Sequence, residues 1–481
     1  MTRTQRLTLI AAILGSAVAA IDSSVVSVAL PAIQRDLGGG LVAQQWVSNA
    51  YLLTLASLIL IGGSLGDIYG ERRIFALGVG AFGVFSLACA LAPDIDTLIA
   101  ARALQGAAGA LLTPSSLAII VNAFPPSQRG TAIGSWTAWG GIASIAGPLA
   151  GGWIVDQASW RWIFVINVPL VLATLALVFI AVPKSTIARN RHVDWVGAVL
   201  CSLGLGGIVF GLVEQPNYGW GSAAIIVPLV GGAVAFVAFL VWETRTPEPM
   251  LKLALFKRRN FAVANIETLA MYAGLSILFF FLVIYLQQVA GYSALEAGLA
   301  TIPTTAVMFS LSRRFGALAD KYGPRVLMGA GPLVAALGLL PLLRIGMHPS
   351  YVRDLLPGLI VFSVGLSMTV APLTATVMAD ADVSDAGIAS AINNAIARVA
   401  GLLGVSVVGV IVAETLVGDT FAQNASSVRA FHQAMAICAG LIAAGGVVGA
   451  LGIVNPRRTI DAAHCAGGQL VGSPLPATRT A

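Results

Sequence analysis

Charge is what this sequence has least of. Of its 481 residues only 10% are Asp, Glu, Lys or Arg, against 57% apolar, where a soluble domain carries about 25% charged residues. A chain with so little polar surface cannot clothe a core of this size in water, so lipid is part of its solvent. That excludes a soluble enzyme, a nucleic-acid-binding module and a disordered chain. Lysine is scarcer still, with Lys184, Lys252, Lys257 and Lys321 among 27 basic residues. The four cysteines (Cys89, Cys201, Cys438 and Cys465) form no CxxC and no disulfide framework, and read as small packing residues. The four histidines show no metal-ligand spacing, so no metal and no cofactor is expected. The dipeptide Gly-Lys never occurs, which removes the phosphate-binding loop of ATPases, and no nucleophile elbow, HExxH or dinucleotide fingerprint appears. The chain is not read as an enzyme.

Long apolar runs are what is there. Crossing roughly 30 Å of hydrocarbon takes about 20 residues of helix, and fourteen runs qualify: 7–30, 44–65, 74–92, 97–121, 131–154, 162–182, 193–213, 222–242, 261–287, 294–315, 325–343, 352–378, 386–414 and 428–453. They must be helices, because backbone polar groups in lipid need partners within their own segment, and the alternating segments of about ten residues of a barrel are absent. The fold class expected is therefore an all-α polytopic membrane protein. The first run has a basic start and small residues at Ala17 to Ala20, as a signal peptide does, but continues to Leu30 and is expected to stay as a span.

The net charge of +6 sits in short loops, the footprint of topology and not of phosphate or nucleic-acid binding. With the N-terminus inside, twenty Lys and Arg fall in inner segments. Five fall outside (Arg35, Arg161, Arg344, Arg353 and Arg429), and Arg102 and Arg398 lie within spans. The bias predicts a multi-pass protein of the cell membrane with both termini cytoplasmic.

A repeat organises the chain. Gly63-Ser-Leu-Gly-Asp67-Ile-Tyr-Gly70-Glu71-Arg72 returns 253 residues later as Gly316-Ala-Leu-Ala-Asp320-Lys-Tyr-Gly323-Pro-Arg325, matching at six of ten positions. Eight spans separate the copies, so both face the same side. This predicts a six-helix bundle over 1–183, two inserted spans and loops over 184–259, a second six-helix bundle over 260–455 and a disordered cytoplasmic tail over 456–481. Such internal duplication around a central site is how many secondary transporters are built. Glycines allow the sharp turn, and an acid and a base flanking it can form contacts in one conformation that break in another. Gly63, Asp67, Gly70, Arg72, Gly316, Asp320, Gly323 and Arg325 are thus candidates for a cytoplasmic gate.

Several residues inside the spans need a reason. Asp22 lies two-thirds along span one, where a carboxylate is costly unless paired, hydrated or protonated. A group poised to take up and release a proton is what proton coupling requires; its alternative is a carboxylate satisfied by Ser23 and Ser24. Arg102 in span four lies within about 5 Å of the same depth at 1.5 Å per residue, so it can meet Asp22 across a cavity and tune it. Gly147-Pro148 breaks span five, and Gly151 and Gly152 smooth its face, a place where helices can slide or hinge. Arg398 sits deep in span thirteen and is expected to pair with an acid or with carbonyls. Glu267 and Glu414, nearer helix ends, are as suited to the interface as to function. Trp136, Trp139, Phe279, Phe280 and Phe281 are expected to face lipid or core, with the lining of a cavity and stacking on aromatic cations as the alternative.

The repeated loop resembles the signature of the major facilitator superfamily. Further strings resemble motifs of its fourteen-helix drug:proton antiporter family, the EmrB/QacA type: Ile21-Asp22-Ser-Ser-Val-Val-Ser-Val-Ala-Leu-Pro31, Leu98-Ile-Ala-Ala-Arg102-Ala-Leu-Gln105-Gly106, Gly147-Pro148-Leu-Ala-Gly151-Gly152 and Trp160-Arg-Trp-Ile-Phe-Val-Ile-Asn167-Val-Pro169. Glu71 departs from the pattern, which usually has a basic residue there. The resemblance implies a major facilitator fold, two six-helix bundles plus two inserted helices. It implies proton-coupled antiport of amphipathic or cationic drugs by a monomer that alternates its access, with Asp22 binding protons and cationic substrate. It also implies that the Gly147 motif marks exporters. The partners expected are a small-molecule substrate, protons and the lipid bilayer. Narrower alternatives are an exporter of a single metabolite or antibiotic, or a membrane sensor without transport.

Overall fold

In the computed structural model, which describes residues 1–183, 193–379 and 386–455, the chain is built of helices. The tail 456–481 and the topology-setting residues Lys184, Arg189, Arg191, Arg457, Arg458 and Arg479 lie outside the described residues. Fourteen helices among the described residues are long and apolar enough to span a bilayer. The first six are α1 (Arg3–Leu37), α2 (Gly40–Tyr69), α3 (Glu71–Ala90), α4 (Ile95–Ala123), α5 (Gln128–Gln157) and α6 (Trp162–Ala181). Two follow, α7 (Trp195–Val213) and α8 (Ala223–Arg245). The last six are α9 (Arg259–Val289), α10 (Ala294–Tyr322), α11 (Pro324–Arg344), α12 (Tyr351–Ala379), α13 (Ile388–Ala413) and α14 (Ala425–Gly452).

Local sequence starts and stops these helices. Thr2 with Gln5 and Ser293 with Glu296 form capping boxes at α1 and α10. Asp94 accepts the Thr97 amide at 2.8 Å at the start of α4, and that bond holds its carboxyl below the usual carboxylate range. Gly70 and Gly323, the repeated turn glycines, carry φ of 93° and 89°, a region closed to most side chains. Span six, read as continuous, is interrupted at Ile166 between Trp162–Val165 and Asn167–Ala181. Five-residue π turns at Tyr285–Val289 and Tyr351–Leu355 end α9 and open α12.

The two sixes pack alike. In the first, α2 and α3 pack on α4, α5 and α6 on α1, and α3 on α6. In the last, α10 and α11 pack on α12, α13 and α14 on α9, and α11 on α14, the same pairs eight helices on. The contacts between the sixes obey the same relation, for α2 meets α13 and α5 meets α10. The inserted α7 and α8 pack on each other through Gly204, Gly207 and Gly232, where a Cβ would collide with facing backbone. Helix α7 also lies on α2 and α13, with Val209, Val213 and Leu402 buried between them.

Among the described residues the direct contacts between the halves concentrate at one end. We call the end bearing Arg72, Arg73, Arg313, Arg314 and Arg325 the basic face. At the opposite face one apolar core runs through both halves, from Leu30 and Val47 to Phe281, Leu286 and Val412. Polar bonds reinforce it: Gln45 Nε2 to the Val405 carbonyl at 2.8 Å, Asn49 Nδ2 to Ser406 Oγ at 3.0 Å, and Gln287 Nε2 to the Val28 carbonyl at 2.8 Å. The Asp156 carboxylate of α5 accepts the Ala294 and Leu295 amides at 3.0 and 2.9 Å, capping the first turn of α10 in the other half. Toward the basic face the apolar clusters are separate, one around Leu9 and Ile120 and another around Phe261 and Met328.

Candidate functional site

Between the splayed halves lies a cavity of about 630 Å³. Its wall takes residues from α1, α2, α4 and α5 on one side and α9, α10 and α13 on the other. Hydroxyls and amides alternate on it with rings, among them Ser24, Asn49, Trp136, Phe279, Thr305 and Asn394. Of the five aromatic residues singled out in the sequence, Trp136, Phe279 and Phe280 line this space. Phe281 is buried in the core and Trp139 is exposed elsewhere.

Beside the cavity, inside the first half, sits Asp22. On α1 it shares a buried stripe with Val18, Val25, Val26 and Ala29, the helical spacing that aims a side chain inward. It is fully buried and accepts from three side chains: Arg102 Nη1 at 2.6 Å, Gln105 Nε2 at 2.8 Å and Asn167 Nδ2 at 2.9 Å. Arg102 and Gln105 stand three residues apart on one face of α4, and Arg102 Nη1 also donates to Gln105 Oε1 at 2.7 Å. Arg102 Nε donates to the Val47 carbonyl of α2 at 3.2 Å, and its guanidinium lies 4.3 Å from the centre of the Tyr51 ring. Asn167 stands just past the interruption of α6 and also donates to Ser86 Oγ at 3.0 Å, which donates to the Phe164 carbonyl at 2.8 Å. Helices α4 and α6 therefore hold the carboxylate of α1, while α2 and α3 brace the donors.

Three sequence expectations change here. Asp22 and Arg102 do meet, but within one bundle and not across the cavity, because α1 and α4 pack in the same half. Ser23 and Ser24 do not satisfy the acid; Ser24 Oγ donates instead to the Ala20 and Ile21 carbonyls. The cavity wall itself presents Arg102, while Asp22 lies behind it. Gln105 and Asn167 were visible in the motif strings, but nothing in a string says that two amides from separate helices will turn to one acid. The 253-residue offset carries Asp22 and Arg102 onto Leu275 and Leu355, so the charged cluster exists in one half only.

The other candidates spread out. Gly147 and Gly151 lie on α1, where a Cβ would overlap Ser24 and Val25. Gly152 meets Ala294 and Leu295, and the Pro148 carbonyl meets Gly298, so the motif seats α5 on α1 and on α10 of the other half at the opposite face. The repeated arginines each bind the last helix of their own half. Arg72 Nη2 donates to the Phe179 carbonyl at 3.0 Å, and Arg325 Nε to the Ala450 carbonyl at 2.7 Å. Asp67 is part-buried near Gly63, and Asp320 is exposed beside Gly316. Glu71 is buried and its carboxylate fills the space over Gly66. Arg398 lines the cavity with no carboxylate partner among the described residues, against the expectation of a pair. Glu267 is not interfacial; it is fully buried, with both oxygens unpartnered, against Gly445 and Gly449 of α14. Glu414, just past α13, is exposed.

Known proteins share this design. The sequence profile of the Major Facilitator Superfamily matches residues 12–405. The multidrug resistance protein Stp of Mycobacterium tuberculosis is 36% identical over 417 residues, 86% of this chain and 77% of that protein. The tetracenomycin C resistance and export protein of Streptomyces glaucescens is 33% identical over 419 residues, again 86% and 77%. Among solved structures, a bacterial homolog of the lysosomal transporter Spinster, in an inward-facing and unoccupied conformation, superposes with a TM-score of 0.68 at 16% identity, covering 94% of this chain and 97% of that one. A D-xylose–proton symporter gives 0.66 at 15%, covering 93% and 98%. Fourteen spans, two like-packed sixes, the matched profile and drug-export relatives lead to one assignment: the chain belongs to the Major Facilitator Superfamily, on its fourteen-helix drug-efflux branch.

Proposed function

We propose that this transporter is a proton-coupled antiporter that exports amphipathic drugs or other toxic compounds across the cell membrane. It works as a monomer with both termini and the basic face in the cytoplasm. On that reading the cavity is open inward and sealed outward. The observation that carries the reading is the carboxylate of Asp22, fully buried and held by Arg102, Gln105 and Asn167 directly behind the cavity wall. A buried ion pair contributes little to stability because desolvation offsets the attraction, so its worth lies in its response to an arriving proton. Protonation of Asp22 removes the charge that holds Arg102, and the guanidinium on the cavity wall is freed to change partners. A lone charge on either residue is costly in this setting, so proton uptake and rearrangement are coupled. The Gly147-Pro148-Gly151-Gly152 surface seats the outer closure, and the helix ends and turns Gly63 to Arg72 and Gly316 to Arg325 form the inner gate when the basic face closes.

A second reading, export of a single antibiotic, is favoured by relatives named for one compound, including the tetracenomycin C export protein and a cephamycin export protein of Amycolatopsis lactamdurans. The test is dye accumulation by energised everted vesicles, comparing the native chain with Asp22→Asn. Proton coupling through Asp22 requires that a protonophore abolish accumulation and that the substitution do the same. Accumulation insensitive to either removes it. A panel of compounds in a strain lacking its own pumps separates the broad reading from the narrow one.

A further inference from the structure

The cavity wall carries charge of one sign. It includes two arginines and, among the described residues, no Asp, Glu, Lys or His. Arg102 is neutralised from behind by Asp22 at 2.6 Å. Arg398, contributed by α13 from the other half, has no such counterion. The other buried intramembrane acid of that half, Glu267, faces Gly445 and Gly449 of α14 and not the cavity. Asp380, Asp382 and Asp385 lie outside the described residues, and α13 puts about 18 Å of helix between residue 386 and Arg398. The guanidinium therefore stands part-buried at the edge of a half-apolar space with its charge uncompensated. Such a charge attracts an anion strongly and repels a cation, since the surrounding walls screen poorly. Its planar fork of donors matches a carboxylate or a phenolate or enolate oxygen pair. Trp136 and Phe279 add ring surfaces, and Ser276 and Asn394 add neutral hydrogen-bonding groups.

We infer that the transported compound is an aromatic, hydroxylated organic acid that enters as its anion and is bound by Arg398. This rests on the exporter reading and sets the substrate class against the cationic one. The acid that would attract a cation, Asp22, is covered by Arg102 and spends its charge there.

The experiment uses the full chain, purified in detergent and also reconstituted into proteoliposomes, with two dyes on one ring system. Carboxyfluorescein is the anion and rhodamine 6G the cation. Binding is read by fluorescence polarisation and transport by dye movement under an imposed pH gradient. The expected result is that the anion binds at least tenfold tighter than the cation. Arg398→Gln should weaken anion binding tenfold or more while leaving the cation unchanged or improved, and Arg398→Lys, which keeps the charge but not the fork, should fall between the native chain and Arg398→Gln. A cation bound as tightly as the anion, binding of neither dye, or an Arg398→Gln protein with native anion affinity overturns the inference. If Arg398→Gln fails to run as a monodisperse species, the anion-to-cation ratio of the native chain decides alone. Anion-selective, Arg398-dependent binding without gradient-driven movement of either dye removes the exporter reading and leaves the specificity standing. Gradient-driven movement of the cation alone keeps the exporter and removes the anion.

Discussion

Removing the side chain of Asp156 should let the opposite face open. Among the described residues, this carboxylate is the charged group that reaches from α5 into the other half there to accept two backbone amides at the start of α10. Hydrogen bonds to a charged acceptor contribute about 1.5–3 kcal/mol when sheltered, but Asp156 is exposed, so about 1 kcal/mol each is the defensible figure. An anion at a helix N-terminus adds roughly 0.3–1 kcal/mol. Together these make about 2–3 kcal/mol that exists only while the face is shut. At about 1.4 kcal/mol per decade, losing it shifts the equilibrium between shut and open roughly 30- to 100-fold. Asp156→Ala loses all of it, and Asp156→Asn, which keeps an acceptor but no charge, loses part. Spin labels at exposed Ala158 and Leu299, with the tail Cys465 replaced by Ser, report the separation by double electron–electron resonance. The native chain should give mainly the short distance; Asp156→Ala should raise the long-distance population by an order of magnitude or more, with Asp156→Asn between. An Asp156→Ala distribution superimposable on the native one would refute the latch.

The same geometry sets four other outcomes. Asp22→Asn leaves Arg102 buried and unpaired and should cost about 3–5 kcal/mol, whereas Asp22→Asn with Arg102→Met should cost less than the sum of the single changes; thermal unfolding in detergent measures the cycle, and strict additivity sinks it. Gly147→Val drives a side chain into Ser24 of α1 and should lower stability by about 1–3 kcal/mol, seen as a lower melting temperature. Glu267→Met removes a fully buried carboxyl whose oxygens lack partners and should raise the melting temperature; a drop would mean that the carboxyl has a stabilising partner. Asp94 has a lowered pKa because it accepts the Thr97 amide. Its cap is therefore fully present above the ordinary carboxylate value of about 4 and is lost as pH falls through the lower folded value. Hydrogen exchange at the first turn of α4, corrected for intrinsic rates, should show opening rise as the pH falls below about 4, and not in Asp94→Ala.

The spans were legible because the bilayer imposes a length and a composition that few other settings share. The duplication was legible because Gly63 to Arg72 and Gly316 to Arg325 keep their turn chemistry. Gly70 and Gly323 both need positive φ, and Arg72 and Arg325 both reach a terminal helix of their own half. The cluster was half legible. An acid and a base at similar depths pointed to each other, but which side of the cavity they occupy depends on α1 and α4 packing together, and that is a property of the tertiary arrangement. Gln105 and Asn167 carry no charge and so gave no energetic alarm. In the sequence Glu267 stays open between interface and function because it lies nine residues from a helix start, while the glycines that shelter it, Gly445 and Gly449, lie nearly 180 residues away. The break at Ile166 comes just before Asn167 and three residues before Pro169, which has no N–H for the Val165 carbonyl, a signal that the apolar run hid.

The inserted pair gives the molecule a handedness that its two matching halves lack. Helix α7 lies along the α2–α13 junction, where Trp46 Nε1 donates to Glu214 Oε1 at 2.7 Å and Cys201 and Leu205 pack with Leu53 and Val399. The twin junction, α5 against α10, has no such cladding among the described residues. Among the described residues, one of the two junctions between the halves is thus clad by an inserted helix and the other is bare. On the exporter reading proposed above, a solute approaching the cavity from the acyl chains meets an inserted helix on one flank and none on the other, which makes its approach one-sided.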